Sequence, residues 1–401
     1  MYPVTISVVI PAYNAAPYIR EALESVLAQS YTNFEVIVVD DGSVDNTAQI
    51  VRDFGTAVRL VQQKNRGLAA ARNAAIKEAQ GEIIAPLDAD DLWEPVYLEI
   101  MIDFLLQHQN AVAAYCGFRY ISAAGVEIGR SASKVVPSES FHETLLGDGN
   151  WLIPSAVIFY KNMAERVGLF DEEISPVADA GLWMNLSAHS PFVGLPNQLV
   201  KYRRHGENMS NDPKLMVSAN ARLIEKIFGA PSDASTHWSP QKRQAYTKLF
   251  SSGALQYLAS GNTEESTRYF LRLLELAPLA VLQLQFWRAV SRLHIPQEYQ
   301  LDPAVRTDLS KSKRDVFRLL HSISMNLQSK PRLKPHFQRI TSAAFLGLAD
   351  EAGRNSQFSL AAEWLLKAAR ANPQIALSKP YWGTVLRSTA KSFRKESLGS
   401  K

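Results

Sequence analysis

Ile83-Ile84-Ala85-Pro86-Leu87-Asp88-Ala89-Asp90-Asp91 decides how the chain is read. An apolar run leads straight into three carboxylates within the last five positions. A short apolar run bounded by a turn reads as a buried strand. The acids therefore stand at a strand's carboxyl end, the edge where open α/β sheets bind their ligands. Asp88 and Asp90, two apart on a tight turn, can face one hard cation. Mg²⁺ and Mn²⁺ take oxygen ligands and commonly keep substrate phosphates as co-ligands. The same residues suit a solvated acidic turn that opens a helix, because Asp is a strong N-cap. Taken alone, the stretch leaves both readings open.

Upstream, strands and helices alternate. Ile6-Ser7-Val8-Val9-Ile10 is a β-branched run closed by Pro11. Ile19, Leu23, Val26 and Leu27 recur at helical spacing. Phe34–Val39 is a second buried strand, ending in Asp40-Asp41-Gly42-Ser43. A helix over 45–54, a strand at Val58–Val61 and an Ala-rich helix from Leu68 to Ala79 follow. This order predicts an α/β domain with a mostly parallel sheet and right-handed crossovers. Two strand ends then carry acids on one sheet edge, Asp40/Asp41 and Asp88/Asp90, with Arg66 and Arg72 near a third. No G-x-G-x-x-G follows the first strand and no G-x-x-x-x-G-K-[ST] occurs, which argues against a dinucleotide fold and a P-loop.

Four segments in order, Val8–Asn14, Val39–Ser43 with Asp45, Asn65-Arg66-Gly67 with Ala71-Arg72-Asn73, and Leu87–Asp91, resemble the successive signatures of family 2 glycosyltransferases with the GT-A fold. The resemblance covers roughly residues 4–210. It implies a nucleotide-diphosphate-sugar donor, most plausibly a UDP-sugar, a divalent metal (Mn²⁺ or Mg²⁺) and inversion at the anomeric carbon. It implies that Pro11, Tyr13, Asn14, Asp40, Asp41, Arg72 and Asp88 hold the nucleotide, and that Asp88 and Asp90 hold metal and diphosphate. Tyr202-Arg203-Arg204-His205 resembles the family's terminal motif, with His205 a further metal ligand and Arg203 and Arg204 neutralising diphosphate.

Inverting transfer needs a carboxylate that takes the acceptor hydroxyl's proton. By the resemblance, that base lies in Ala178-Asp179-Ala180-Gly181-Leu182-Trp183, and Asp179 is its candidate. Ala178 and Gly181 replace acids often found there. A helix N-cap is the plainer role for Asp179. Those missing acids also motivate a second reading, a catalytically weak or inactive glycan- or partner-binding protein on the same fold. Between these parts, Val112–Tyr120 reads as a strand and Gly125–Pro137 as an unpatterned polar stretch.

The 401 residues suffice for two domains, expected at 1–210 and 211–401. The first holds 15 Lys+Arg against 25 Asp+Glu, the second 28 against 14. An acidic phosphate-binding domain makes sense when metal bridges the charge, and a basic second domain suits an anionic surface. One cysteine, Cys116, excludes an intrachain disulfide framework and fits a reducing compartment. The start lacks a signal peptide's pattern and no apolar run approaches 20 residues, so a cytoplasmic protein, peripheral on the inner membrane face, is expected.

The second domain reads as all-α. Tyr246–Ala277 and Phe345–Asn372 match at a constant offset, Ala254 with Ala349, Tyr269 with Trp364 and Pro278 with Pro373, as in tetratricopeptide-like helical hairpins. An ordinary helical bundle is the alternative. Leu279–Leu293 resembles an interfacial helix, and Lys311–Arg339, with Lys313, Arg314, Arg318, Lys330, Arg332 and Lys334, is a basic stretch for an anionic membrane surface or a protein partner. No nucleic-acid motif accompanies the basic residues. The acceptor expected is a glycan or lipid-linked glycan of cell-surface polysaccharide synthesis.

Overall fold

The structure, a computed structural model, describes residues 5–132, 134–231, 237–293, 295, 306–328, 331–377, 380–381 and 384. The chain divides into two compact units, Met1–Ala230 and Pro231–Lys401. The first contains β1 (Ile6–Ala12), α1 (Ile19–Leu27), β2 (Phe34–Asp40), α2 (Thr47–Arg52), β3 (Arg59–Gln62), α3 (Leu68–Glu78) and β4 (Ile83–Pro86). It continues with β5 (Leu92–Trp93), α4 (Tyr97–Gln107), β6 (Ala113–Ser122), β7 (Glu127–Ala132), α5 (Phe141–Asp148), β8 (Val157–Tyr160), α6 (Lys161–Arg166), α7 (Ala178–Ser187), β9 (Phe192–Arg204) and α8 (Pro213–Phe228).

These strands form one sheet in the order β3-β2-β1-β4-β8-β6-β9-β5, with β7 added to β6. The first four run parallel, as the alternating pattern predicts. β8 enters antiparallel to β4 and β6, while β9 runs parallel to β6 and antiparallel to β5. Strand side chains alternate between faces, so each strand feeds two cores. Ile6, Val8 and Ile10 pack with Ile19 and Leu23 of α1 and Leu98 and Met101 of α4. Val9, Ile37 and Ile84 pack with Ala71 and Ala75 of α3 and Leu182 and Trp183 of α7. Helices thus cover both faces and leave the strand ends for ligands.

β7 corrects the reading of Gly125–Pro137 as unpatterned. It pairs with β6 through a tight turn in which Ser122 N–H donates to Val126 C=O at 2.7 Å and Gly125 adopts φ +77°. Only one side of this strand has a partner strand, and its polar composition hides the alternation that marks half-buried strands. α8 moves the unit boundary from the expected 210 to 230. Asp212 caps it by accepting from Leu215 N–H, and its Lys226 bonds Asp171 and Glu173, each at 2.6 Å.

The second unit is helical among the described residues: α9 (Pro240–Ala259), α10 (Thr263–Leu276), α11 (Leu284–Ser291), α12 (Leu309–Leu327), α13 (Phe337–Arg354) and α14 (Phe358–Ala371). The α9–α10 and α13–α14 hairpins repeat one turn. Asn262 N–H donates to Tyr257 C=O and Gln357 N–H to Ala352 C=O, while Gly261 and Ser356 take φ +84° and +61°. α11 and α12, between them in sequence, pack on each other and on both hairpins.

α11 corrects the interfacial-helix expectation. Phe286, Trp287 and Val290 are buried against protein, and Arg288 and Arg292 pair with Asp350 and Glu351 of α13. On α12, Lys311, Lys313, Arg314 and Arg318 are exposed, as are Arg332 and Arg339 beyond it. Lys330 lies outside the described residues. Among the described residues, no helix is long and apolar enough to cross a membrane.

Gly81 seats β4 against β1: a Cβ there would lie 2.7 Å from Thr5 O and Ser7 N, both backbone atoms that cannot swing away. Gly81→Ala is expected to destabilise the chain by about 1–3 kcal/mol, the usual cost of overpacking. Equilibrium denaturation with urea checks this, and an unchanged midpoint would contradict it.

Candidate active site

The site is built on the carboxyl ends of β1, β2 and β4. Register places Ala12 beside Asp40, and Asp41 N–H donates to Ala12 C=O at 2.8 Å. β4 stops earlier, at the level of Val9, whose carbonyl accepts from Leu87 N–H at 3.0 Å. The acidic turn therefore starts beneath the loop that follows β1.

That loop is tied to the one after β2. Asn14, at φ +50°, accepts from Val44 N–H through Oδ1, and its own N–H donates to Ser43 Oγ, both at 2.9 Å. Pro11 is buried, while Tyr13 leaves 52% of its surface open. Asp40 and Asp41 are 1% and 2% exposed. Asp40 accepts from Ser43 N–H and Gln62 Nε2. Asp41 accepts from Gln63 Nε2 and from the N–H groups of Arg66 and Gly67, at 2.7 to 2.9 Å. Both carboxylates thus hold the loops that frame the strand ends.

Arg72 rises from α3, where the small Ala69, Ala70 and Ala71 bring the helix close to the sheet. It is 2% exposed, donates to Asp88 Oδ1 and lies over the Phe170 ring at 5.4 Å. Its Nε has no protein partner. A buried donor without a partner favours a ligand that can accept from it. The neighbouring Asn73 brackets Phe170, donating to its carbonyl at 2.8 Å and accepting from its N–H at 3.0 Å. α3 thereby anchors the segment that leads into α7.

The acidic turn splits into three roles. Asp88 faces Arg72. Asp90 Oδ2 meets His205 Nε2 at 2.9 Å and accepts from Asn208 Nδ2 at 3.1 Å. Asp91 is fully buried, accepting from Ser155 Oγ at 2.6 Å and Arg203 N–H at 3.0 Å. Burial, with Asp90 and Asp88 adding to it, pushes the Asp91 carboxyl well above the usual aspartate value. β5 places His205 here, because Leu92 and Trp93 pair with Lys201 and Val200 of β9.

Two expectations need correction. Arg203 was expected at the diphosphate, but it is buried, and its guanidinium donates to Glu21 and to the carbonyls of Asp90 and Ala123. It braces the turn from inside. Asp88 was expected to join Asp90 in holding metal, but its carboxylate is engaged by Arg72. Arg204 reaches Ser210 and Asn211 at 3.1 Å.

Asp90 and His205 fit a divalent ion. Their donor atoms are 2.9 Å apart, and adjacent ligands on an octahedral ion with bonds of about 2.1 Å are separated by roughly 3.0 Å. Among the described residues, no three His, Cys, Asp or Glu side chains converge to hold a metal ion.

Asp179 opens α7 and stands within electrostatic reach of Arg72 and Asp88. Burial raises its carboxyl above the usual aspartate value; Arg72, its bond from Ala180 N–H and Asn150 oppose that, and Asp88 adds to it. Asn150, which sequence reasoning missed, donates from Nδ2 to Asp179 Oδ2 at 2.8 Å. Its position just after Gly149, at the end of α5, was the only local signal. Ala178 is buried in the core, and a side chain at Gly181 would meet Ile174 and Leu223 at 3.1 and 3.6 Å. Gly181 thus sits against α8 and the turn before α7.

The family described as "Glycosyl transferase family 2" matches residues 7–172. An uncharacterized glycosyltransferase of Rickettsia prowazekii is 32% identical over 224 residues, which is 53% of this chain and 67% of that protein. The chondroitin synthase of Escherichia coli is 31% identical over 208 residues, 51% of this chain but 30% of that protein. Among solved structures, S. aureus TarS 1–349 in complex with UDP-GlcNAc covers 88% of this chain and 91% of that one, at 18% identity and a TM-score of 0.49. The match over two thirds of the Rickettsia protein, together with the family match, carries the assignment: the chain belongs to glycosyl transferase family 2.

Proposed function

We propose that this glycosyltransferase moves a sugar from a UDP-sugar, with a divalent metal and with inversion, to a glycan or lipid-linked acceptor in cell-surface polysaccharide synthesis. The observation that carries this reading is the cluster at the strand ends: Arg72, whose Nε has no protein partner, bonded to Asp88, and Asp90 bonded to His205. The exposed Tyr13 ring offers a face for the nucleobase, framed by loops that Asn14, Asp40 and Asp41 hold. The Nε of Arg72, which has no protein partner, is a hydrogen-bond donor open to the nucleotide-sugar. The chondroitin synthase relative supports a glycan acceptor.

Asp90 and His205 would hold the ion, Mn²⁺ or Mg²⁺. When bound, it supplies positive charge that offsets the charge developing on the leaving diphosphate. Asp179 accepts the proton of the acceptor hydroxyl as that oxygen bonds to the anomeric carbon, and the bond to diphosphate breaks. A base with a raised pKa is matched to a hydroxyl better than an ordinary aspartate is. The exposed face of α12, with Lys311, Lys313, Arg314, Phe317 and Arg318, supports docking on an anionic membrane surface.

Asp179→Asn should lower transfer by about a hundredfold or more while UDP affinity, measured by calorimetry, stays within about twofold. Weakened UDP binding with retained turnover would contradict the role of Asp179. Asp90→Ala should weaken Mn²⁺-dependent UDP binding by roughly tenfold or more, and equal binding with and without metal would rule out the metal role. The chain should sediment with phosphatidylglycerol vesicles and not with phosphatidylcholine vesicles. Replacing Lys311, Arg314 and Arg318 by Glu should abolish this; sedimentation unaffected by the charge reversal would rule out the α12 surface.

A further inference from the structure

Asn150 takes part in none of the steps above, yet its amide is held at both ends. Gly149 ends α5 with φ +73°. Beyond it, Asn150 Oδ1 accepts from Leu152 N–H at 2.9 Å, and Nδ2 donates to Asp179 Oδ2 at 2.8 Å. The first bond identifies the ends of the amide, because a backbone N–H requires the oxygen. The nitrogen is therefore the end that meets the carboxylate. A flipped amide would set oxygen against carboxylate oxygen and N–H against N–H.

An amide oriented this way prefers the ionised carboxylate, since a donor favours the charged form of an acid. The charged groups facing Asp179 are Arg72 from α3 and Asp88 from the turn after β4; α7 itself contributes the Ala180 N–H. Asn150 is thus the uncharged side-chain donor to this carboxylate among its described contacts.

We propose that Asn150 is the positioning residue for Asp179: it fixes one carboxylate oxygen so that the other meets the acceptor hydroxyl, and it favours the ionised form that takes the proton. The proposal rests on Asp179 being the base. The proton moves from the acceptor hydroxyl to Asp179. The hydroxyl oxygen bonds to the anomeric carbon, the electron pair of the broken bond leaves with the diphosphate, and Asn150 keeps both amide protons throughout.

The test uses the full chain with Mn²⁺. UDP release is followed across pH with UDP-glucose, UDP-galactose and UDP-N-acetylglucosamine for wild type, Asn150→Ala, Asn150→Asp, Asp179→Asn and the double variant Asn150→Ala/Asp179→Asn. Asn150→Ala should lower kcat by about tenfold and leave donor KM within about twofold. Activity is lost as pH falls through the pKa of the base. Removing a donor to the carboxylate raises that pKa, so the acid limb should move to higher pH. Asn150→Asp, which keeps the shape and adds like charge, should move it further. The double variant should be no slower than Asp179→Asn. An unmoved limb in both Asn150 variants, or a double variant clearly slower than Asp179→Asn, overturns the proposal and leaves the base assignment standing. Wild-type turnover by Asp179→Asn, or no turnover of any donor by wild type, removes the base assignment and this proposal with it.

Discussion

Arg203 is fully buried, and its guanidinium joins three segments that are distant in sequence: Glu21 of α1, the carbonyl of Asp90 and the carbonyl of Ala123. Its backbone N–H adds a fourth contact, to Asp91. The rest of the site depends on this brace. Three carboxylates within four positions repel one another, and a turn that carries them needs positive charge or donors to hold one shape. Arg203 and Ser155 satisfy Asp91 from inside, and Arg72 satisfies Asp88 from α3. Asp90 is then left facing His205 and the cleft. Replacing a buried guanidinium of this kind leaves its partners uncompensated, which typically costs several kcal/mol.

The division of labour among the acids sets the chemistry. One carboxylate is structural, one balances a buried arginine, and one stands beside an imidazole at the spacing of adjacent metal ligands. α3 links this donor side to the acceptor side, because Arg72 and Asn73 are neighbours on the helix. Arg72 meets the acidic turn, while Asn73 holds Phe170, which leads to α7 and Asp179. On the proposed reading, one helix carries the spacing between leaving group and base. Rigid elements hold such geometry better than loops do.

Much of this was legible in the sequence. The alternation of β-branched runs with helical spacing placed β1 to β4 and α1 to α3, since the period of side chains is a local property. Acids at strand ends marked the site for the same reason. Features made by tertiary contact were not legible. Arg203 looked like a free cation next to His205, and nothing local reveals that its partners come from three distant segments. Asp88 looked equivalent to Asp90 until Arg72 claimed it. α8 carried no strand signal and was assigned to the helical part, yet it packs on the turn before α7. The repeat of α9–α10 in α13–α14 was visible because Ala254 and Ala349, Tyr269 and Trp364, and Pro278 and Pro373 match at one offset. α11 and α12, between them in sequence, were not read as part of this repeat.

Single displacement on an acceptor activated by Asp179 fixes the stereochemistry of the product. The anomeric configuration of the transferred sugar, read from the coupling constant of its anomeric proton by NMR, therefore tests the account most directly. An α-linked UDP-sugar should yield a β-linked product. An α-linked product would contradict displacement from the face opposite the diphosphate, and with it the role of Asp179.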